Sequence, residues 1–149
     1  MVAGLVPWWL TGWRIETPLP LWGPVRVLGS LVTLAAGAIL LSAFARFVTE
    51  GIGTPAPVAP PKHLVVGGLY RYVRNPMYLA VVAAIVGQAL LFGQLSLTVY
   101  ALIVALIMFA FVQFYEEPDL TERFGAEYEE YRRAVPGWWP RLRPWKGPR

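Results

Sequence analysis

From Met77 to Tyr115 the chain runs for 39 residues without a charged side chain. As a single helix that block would extend about 58 Å, roughly twice the hydrocarbon core of a bilayer. It must therefore divide. Phe92-Gly93-Gln94 is the step where it can turn, giving two spans, about 77–92 and 95–115. The turn is so short that the two spans form an antiparallel hairpin. Ala80, Ala83, Ala84 and Gly87 allow close helix packing on one side. A second uncharged run of 18 residues, Val27 to Phe44, lies within a span of about 25–48. Arg26 and Arg46 sit near its ends, where long side chains reach the interface. Hydrophobic residues make up 56% of the chain and charged ones 15%. An average globular protein carries roughly 25% charged residues. The fold expected is an all-α integral membrane protein of one domain, 1–149, with three transmembrane helices.

The flanking segments add detail. MVAGLVPWWLTGW, residues 1–13, is apolar but short for a crossing, and it lacks the basic start and cleavage site of a signal peptide. It reads either as a short or tilted fourth helix or as the remnant of a longer one. Residues 50–62 hold Pro55, Pro57, Pro60 and Pro61 and read as an extended loop. After Tyr115 the character reverses, and residues 116–149 hold 14 of the 22 charged side chains. Leu120, Phe124, Tyr128, Tyr131 and Val135 recur at spacings of three and four, predicting a C-terminal amphipathic cytoplasmic helix over 118–135. A Trp/Arg/Pro tail, 136–149, is expected along the membrane surface. The hairpin puts the 46–76 loop and the C-terminus on one side, which then carries 11 of the 13 Lys and Arg residues. By the positive-inside rule that side faces the cytoplasm. The localisation expected is a bacterial plasma membrane crossed several times.

Composition also narrows the chemistry. Without cysteine there is no disulfide, thiolate catalysis or cysteine-ligated metal, and the lone His63 offers no metal cluster, so no metal is expected. The net charge of +4 fits anionic lipid headgroups better than nucleic acid, which is not expected as a partner. The remaining polar chemistry gathers in two places, residues 62–78 and Glu116-Glu117, which the hairpin carries to the same membrane face. Pro76 can open a helix, leaving the following N–H groups available to an anion beside Arg74. An interfacial cap of Arg74, Asn75 and Tyr78 is the plainer alternative. The paired carboxylates repel each other at the negative end of a helix, a cost that a ligand ammonium group or neighbouring arginines would offset. A solvated helix start is the plainer reading there.

The segments GLYRYVRNPMYLA and EEPDLTERFGAEYEEYRRAVPGWWP, in that order around a hydrophobic hairpin, resemble the isoprenylcysteine carboxyl methyltransferase and phospholipid methyltransferase superfamily. The resemblance covers about 62–140. It implies a membrane-embedded methyltransferase with S-adenosylmethionine as donor and S-adenosylhomocysteine as product, acting on a small or lipid-like acceptor. It implies that Lys62, His63, Leu64, Val65, Tyr70, Asn75, Pro76, Met77 and Tyr78 line the cofactor. Glu116 would pair with the cofactor's amino group, and Arg74 and Glu117 are the candidate catalytic residues. Asn75 stands where the carboxyl methyltransferases have histidine, as in the phospholipid branch, and Val112 stands where the eukaryotic enzymes carry an arginine. A phospholipid N-methyltransferase and a non-catalytic membrane scaffold are the alternative functions.

Overall fold

The computed structural model describes residues 1–18, 20–51 and 64–147. Among these every regular element is helical. Six α-helices follow one another: α1 (Leu5–Thr11), α2 (Gly23–Gly51), α3 (Pro76–Phe92), α4 (Leu95–Phe111), α5 (Glu117–Phe124) and α6 (Ala126–Ala134). A 3₁₀ turn, Gly68–Arg71, precedes α3, and a π-helical segment, Val112–Glu116, joins α4 to α5. Among the described residues two helical stretches are long and apolar enough to cross a membrane, Gly23–Arg46 and the continuous run Leu95–Phe124. Their Leu31, Leu34, Leu41, Leu102, Leu106 and Ile107 side chains are exposed, a distribution that suits contact with lipid. The apolar helix α3 has 17 residues and is about 26 Å long, slightly under the core thickness.

The chain divides into two compact units. The first comprises Met1–Ile39 and Tyr78–Phe109. Its centre is Ile85, Ala101 and Val104, with Ala3, Val81 and Tyr100 packed against them. Gly29 of α2 and Gly87 of α3 meet backbone to backbone. A Cβ on Gly29 would lie 2.6 Å from the Gly87 carbonyl oxygen, and one on Gly87 would lie 2.9 Å from the Gly29 carbonyl oxygen. Only the absence of side chains lets the helices approach so closely, and the sequence reading had named Gly87 but not its partner. Buried amide side chains anchor the N-terminal segment. Gln88 Nε2 donates to the Ala3 carbonyl, and Gln94 Nε2 to that of Arg14 at 2.6 Å. The expected turn falls at Gly93, whose φ of +68° is a left-handed conformation that glycine adopts without strain.

The N-terminal apolar segment forms a short helix. Within 1–13 only Leu5–Thr11 is helical, seven residues or about 10 Å, far short of a crossing. Gly12, left-handed at φ +56°, ends it.

The second unit comprises Leu40–Met77 and Ala110–Arg149. One cluster gathers Ala43, Val65 and Tyr70, with Leu69 and Met77 against it. Another gathers Tyr128, Tyr131 and Val135, flanked by Leu64, Val66, Leu120, Phe124 and Trp145. Of these, Leu120, Phe124, Tyr128, Tyr131 and Val135 are the apolar positions predicted for one helix over 118–135, yet the first two lie on α5, the tyrosines on α6 and Val135 at its C-cap. Gly125, at φ +54° and ψ −124°, breaks the helix between Phe124 and Ala126. The apolar period runs through the break because residues on both sides pack into the same cluster. Beyond α6, the tail is tied back to the 3₁₀ turn: the Arg141 N–H donates to the Tyr72 carbonyl and the Trp145 N–H to that of Arg71, each at 2.9 Å.

Candidate functional site

The site is built around Arg74, at a bend in the short connection between the 3₁₀ turn and α3. Its guanidinium has three partners. Nε donates to the Val135 carbonyl at 2.9 Å, and Nη1 donates both to Glu117 Oε1 at 2.5 Å and to the Tyr128 hydroxyl at 2.8 Å. The backbone N–H of Arg74 donates to the Pro136 carbonyl at 3.0 Å. Arg74 and Glu117 are both largely shielded from water, with side chains 13% and 7% exposed. The second Glu117 oxygen faces Arg132 Nη2 at 3.6 Å. A buried carboxylate is tolerated only with such partners.

Asn75 extends the arrangement. It is buried, and its Nδ2 donates to the Gly137 carbonyl at 3.1 Å. A Cβ on Gly137 would lie 3.0 Å from Arg74 Nη2 and 3.4 Å from Asn75 Nδ2, so both side chains would have to give by a few tenths of an ångström. One turn further back, the Tyr131 hydroxyl donates to the Tyr70 carbonyl at 2.6 Å. Burial pushes the Tyr131 hydroxyl well above the usual tyrosine range. It raises that of Tyr128 too, although Arg74 beside it pulls the other way. Both therefore act as neutral hydrogen-bonding groups near pH 7.

The residues singled out from sequence fall into distinct places. Arg74, Asn75 and Glu117 come together as described. Val65, Tyr70 and Met77 share the first apolar cluster of this unit, and Leu64 belongs to the second. Pro76 is buried and opens α3, where its missing N–H costs nothing. Glu116, half-buried, closes the π segment. Tyr78, on α3, belongs to the first unit. Lys62 and His63 lie outside the described residues. Tyr128, Tyr131 and Val135 had been read only as apolar positions. Their polar service, two hydroxyls and one carbonyl, went unseen, although tyrosine on the apolar face of a helix was a signal. A surface hollow of about 430 Å³ lies along α6, between Glu129, Glu130, Arg133 and Trp145, and none of the residues singled out from sequence lines it.

Arg74 and Asn75, just before the apolar helix α3, are thus clasped to the 135–137 backbone and to the buried Glu117 that follows the π segment. The chain belongs to the phospholipid methyltransferase family, whose pattern it matches over residues 25–127. It is also similar to the protein-S-isoprenylcysteine O-methyltransferase of Schizosaccharomyces pombe, with 36% identity over 73 residues. That match covers 49% of this chain and 31% of the yeast protein, so the chain spans about a third of the relative's length. No solved structure matches the fold. Family and relative together support a membrane methyltransferase.

Proposed function

We propose that the protein transfers a methyl group from S-adenosylmethionine to a lipid-like acceptor that reaches it from the bilayer. The observation that carries the reading is the clasp of Arg74-Asn75 on Glu117 and the 135–137 backbone, in a chain of the phospholipid methyltransferase family. The residue types present suit the cofactor. Glu116 offers a carboxylate to an ammonium group, and the first N–H groups of α3 suit a carboxylate. Tyr70 and the Val65 and Met77 side chains offer an apolar and aromatic lining. When bound, the cofactor supplies an electrophilic methyl group on a sulfonium.

In this reading Lys62, His63, Leu64, Val65, Tyr70, Asn75, Pro76, Met77, Tyr78 and Glu116 bind and orient the cofactor. Arg74 and Glu117, the candidate catalytic residues, are proposed to act through position. Arg74 Nε and Nη1 are engaged with Val135, Glu117 and Tyr128, and the second Glu117 oxygen faces Arg132, which supports a positioning role that fixes Asn75 and the start of α3. Alignment and exclusion of water are the main requirements of a methyl transfer to a carboxylate or thiolate, which needs no base. The helix α3 serves as a third span, and α5 and α6 lie on the cytoplasmic side, as the distribution of Lys and Arg demands.

The test is calorimetric titration of the full chain in detergent with S-adenosylhomocysteine. Binding is expected. Glu116→Ala should weaken it by about 10- to 100-fold, the worth of one hydrogen bond to a charged group. Absence of heat with the parent chain, or equal affinity in the variant, would defeat the reading. A radiolabelled methyl donor, offered with an amine phospholipid or with a prenylcysteine analogue, then identifies the acceptor by which one takes up label.

A further inference from the structure

We propose that residues 139–146 form a docking surface for the phosphate headgroups of anionic glycerophospholipids. The backbone of this stretch is fixed, not loose. Arg141 and Trp145 donate their N–H groups to the carbonyls of Tyr72 and Arg71, and Arg71 Nε returns a hydrogen bond to the Trp145 carbonyl at 2.6 Å. Tying the backbone down in this way leaves the intervening side chains standing out from it. Trp139 is 80% exposed and Leu142 100% exposed. Such large apolar side chains, on a segment held in place by three hydrogen bonds, are stable where a wet apolar boundary meets them. A bilayer interface is such a boundary, and tryptophan is the residue most at home there.

Charge supplies the second argument. Arg143 and Lys146 are exposed among these apolar groups. Arg141 Nη1 is buried and has no hydrogen-bond partner among the described residues. A guanidinium N–H in that state is costly, and the exposed Arg143 and Lys146 are the cations that a phosphate can reach. No acidic residue lies between Val135 and Lys146 to compete. The anchoring residues Arg71 and Tyr72 also stand only a few positions before Pro76, where an apolar helix begins. The segment therefore starts from a point of the chain close to the edge of a span. Aromatic and aliphatic side chains interleaved with cations on a pinned backbone are matched by an anionic leaflet, where each basic group near the surface strengthens binding about fivefold.

The chain has no cysteine, so one introduced thiol labels cleanly. Leu142→Cys carries a nitroxide on a side chain that touches nothing, and Glu127→Cys on the exposed face of α6 serves as the aqueous reference. The full chain is reconstituted in vesicles of phosphatidylcholine alone and in equal parts phosphatidylcholine and phosphatidylglycerol. Collisions with oxygen and with a water-soluble nickel chelate are then measured. In the mixed vesicles the label at 142 should meet the chelate severalfold less often than the label at 127. That protection should fall in phosphatidylcholine and in the Arg141→Gln/Arg143→Gln/Lys146→Gln variant, whose helical circular dichroism confirms the fold. Chelate access at 142 equal to that at 127 overturns the proposal, and so does protection indifferent to lipid charge. Inorganic phosphate that restores protection in phosphatidylcholine would equally overturn it, by showing a free-anion site. None of these readouts involves methyl transfer, so they stand or fall apart from the enzymatic reading.

Discussion

Replacing Arg74 by methionine isolates the energetic core of the second unit. The substitution keeps a long apolar side chain but removes donors to Glu117, Tyr128 and Val135. The Glu117 carboxylate, 7% exposed, is left with Arg132 at 3.6 Å as its charged neighbour. Breaking a buried ion pair from one side costs about 3–5 kcal/mol, because the surviving charge stays buried without its partner. The remaining arginine places Arg74→Met near the lower end, at about 3 kcal/mol. Glu117→Gln keeps the shape and removes the charge, and should cost about 2 kcal/mol. If the two residues act mainly on each other, these losses must not add. The double variant should recover about 2 kcal/mol of their sum, which a double-mutant cycle reads directly. Reversible unfolding by sodium dodecyl sulfate in mixed micelles, followed by circular dichroism, supplies the four free energies. Losses that add to within about 0.5 kcal/mol would refute the claim that the pair is a unit.

Other expectations follow from particular contacts. Gly87→Leu places a side chain against the Thr33 hydroxyl and the Gly29 carbonyl and should destabilise the first unit by at least about 1–3 kcal/mol in the same assay. Gly125→Ala forces a side chain into a backbone conformation suited to glycine. A loss of about 1–3 kcal/mol is expected, and an unchanged unfolding midpoint would mean that the break between α5 and α6 is relaxed. High pH offers a third check. Because burial raises the folded-state values of Tyr131 and Tyr128, the neutral hydroxyls stabilise the fold fully below the ordinary tyrosine value of about 10 and progressively less above it. The melting temperature should fall as pH rises past about 10, and Tyr131→Phe should flatten that slope while costing about 1 kcal/mol at neutral pH.

The apolar elements were largely legible in the sequence, because a bilayer core tolerates few charges and uncharged runs therefore mark the helices. Arg26, Arg46 and Glu116 bracket those runs and set α2 and the α4 stretch to within a few residues. The meeting of Arg74 with Glu117 was foreshadowed by the hairpin, which returns the chain near its starting point. What escaped was the identity of Arg74's acceptors. Two are backbone carbonyls, Val135 and Pro136, and a carbonyl has no sequence signature. The glycine contact at residues 29 and 87 escaped for a related reason: a missing side chain declares nothing about what fills the space. The break at Gly125 was masked by an apolar rhythm that both flanking helices share.

The π segment at Val112–Glu116 sets the phase of everything that follows it. A π turn takes up one residue more than an α turn, and each residue of an α-helix is worth about 100° of rotation. The stretch from Leu95 to Phe124 thus carries two angular settings in one rod, one for its apolar part and one for Glu117. Deleting one of its five residues would return the segment to α geometry and leave Glu117 near its present angle, because the π turn had taken up that one extra residue. Most single substitutions there leave the setting intact.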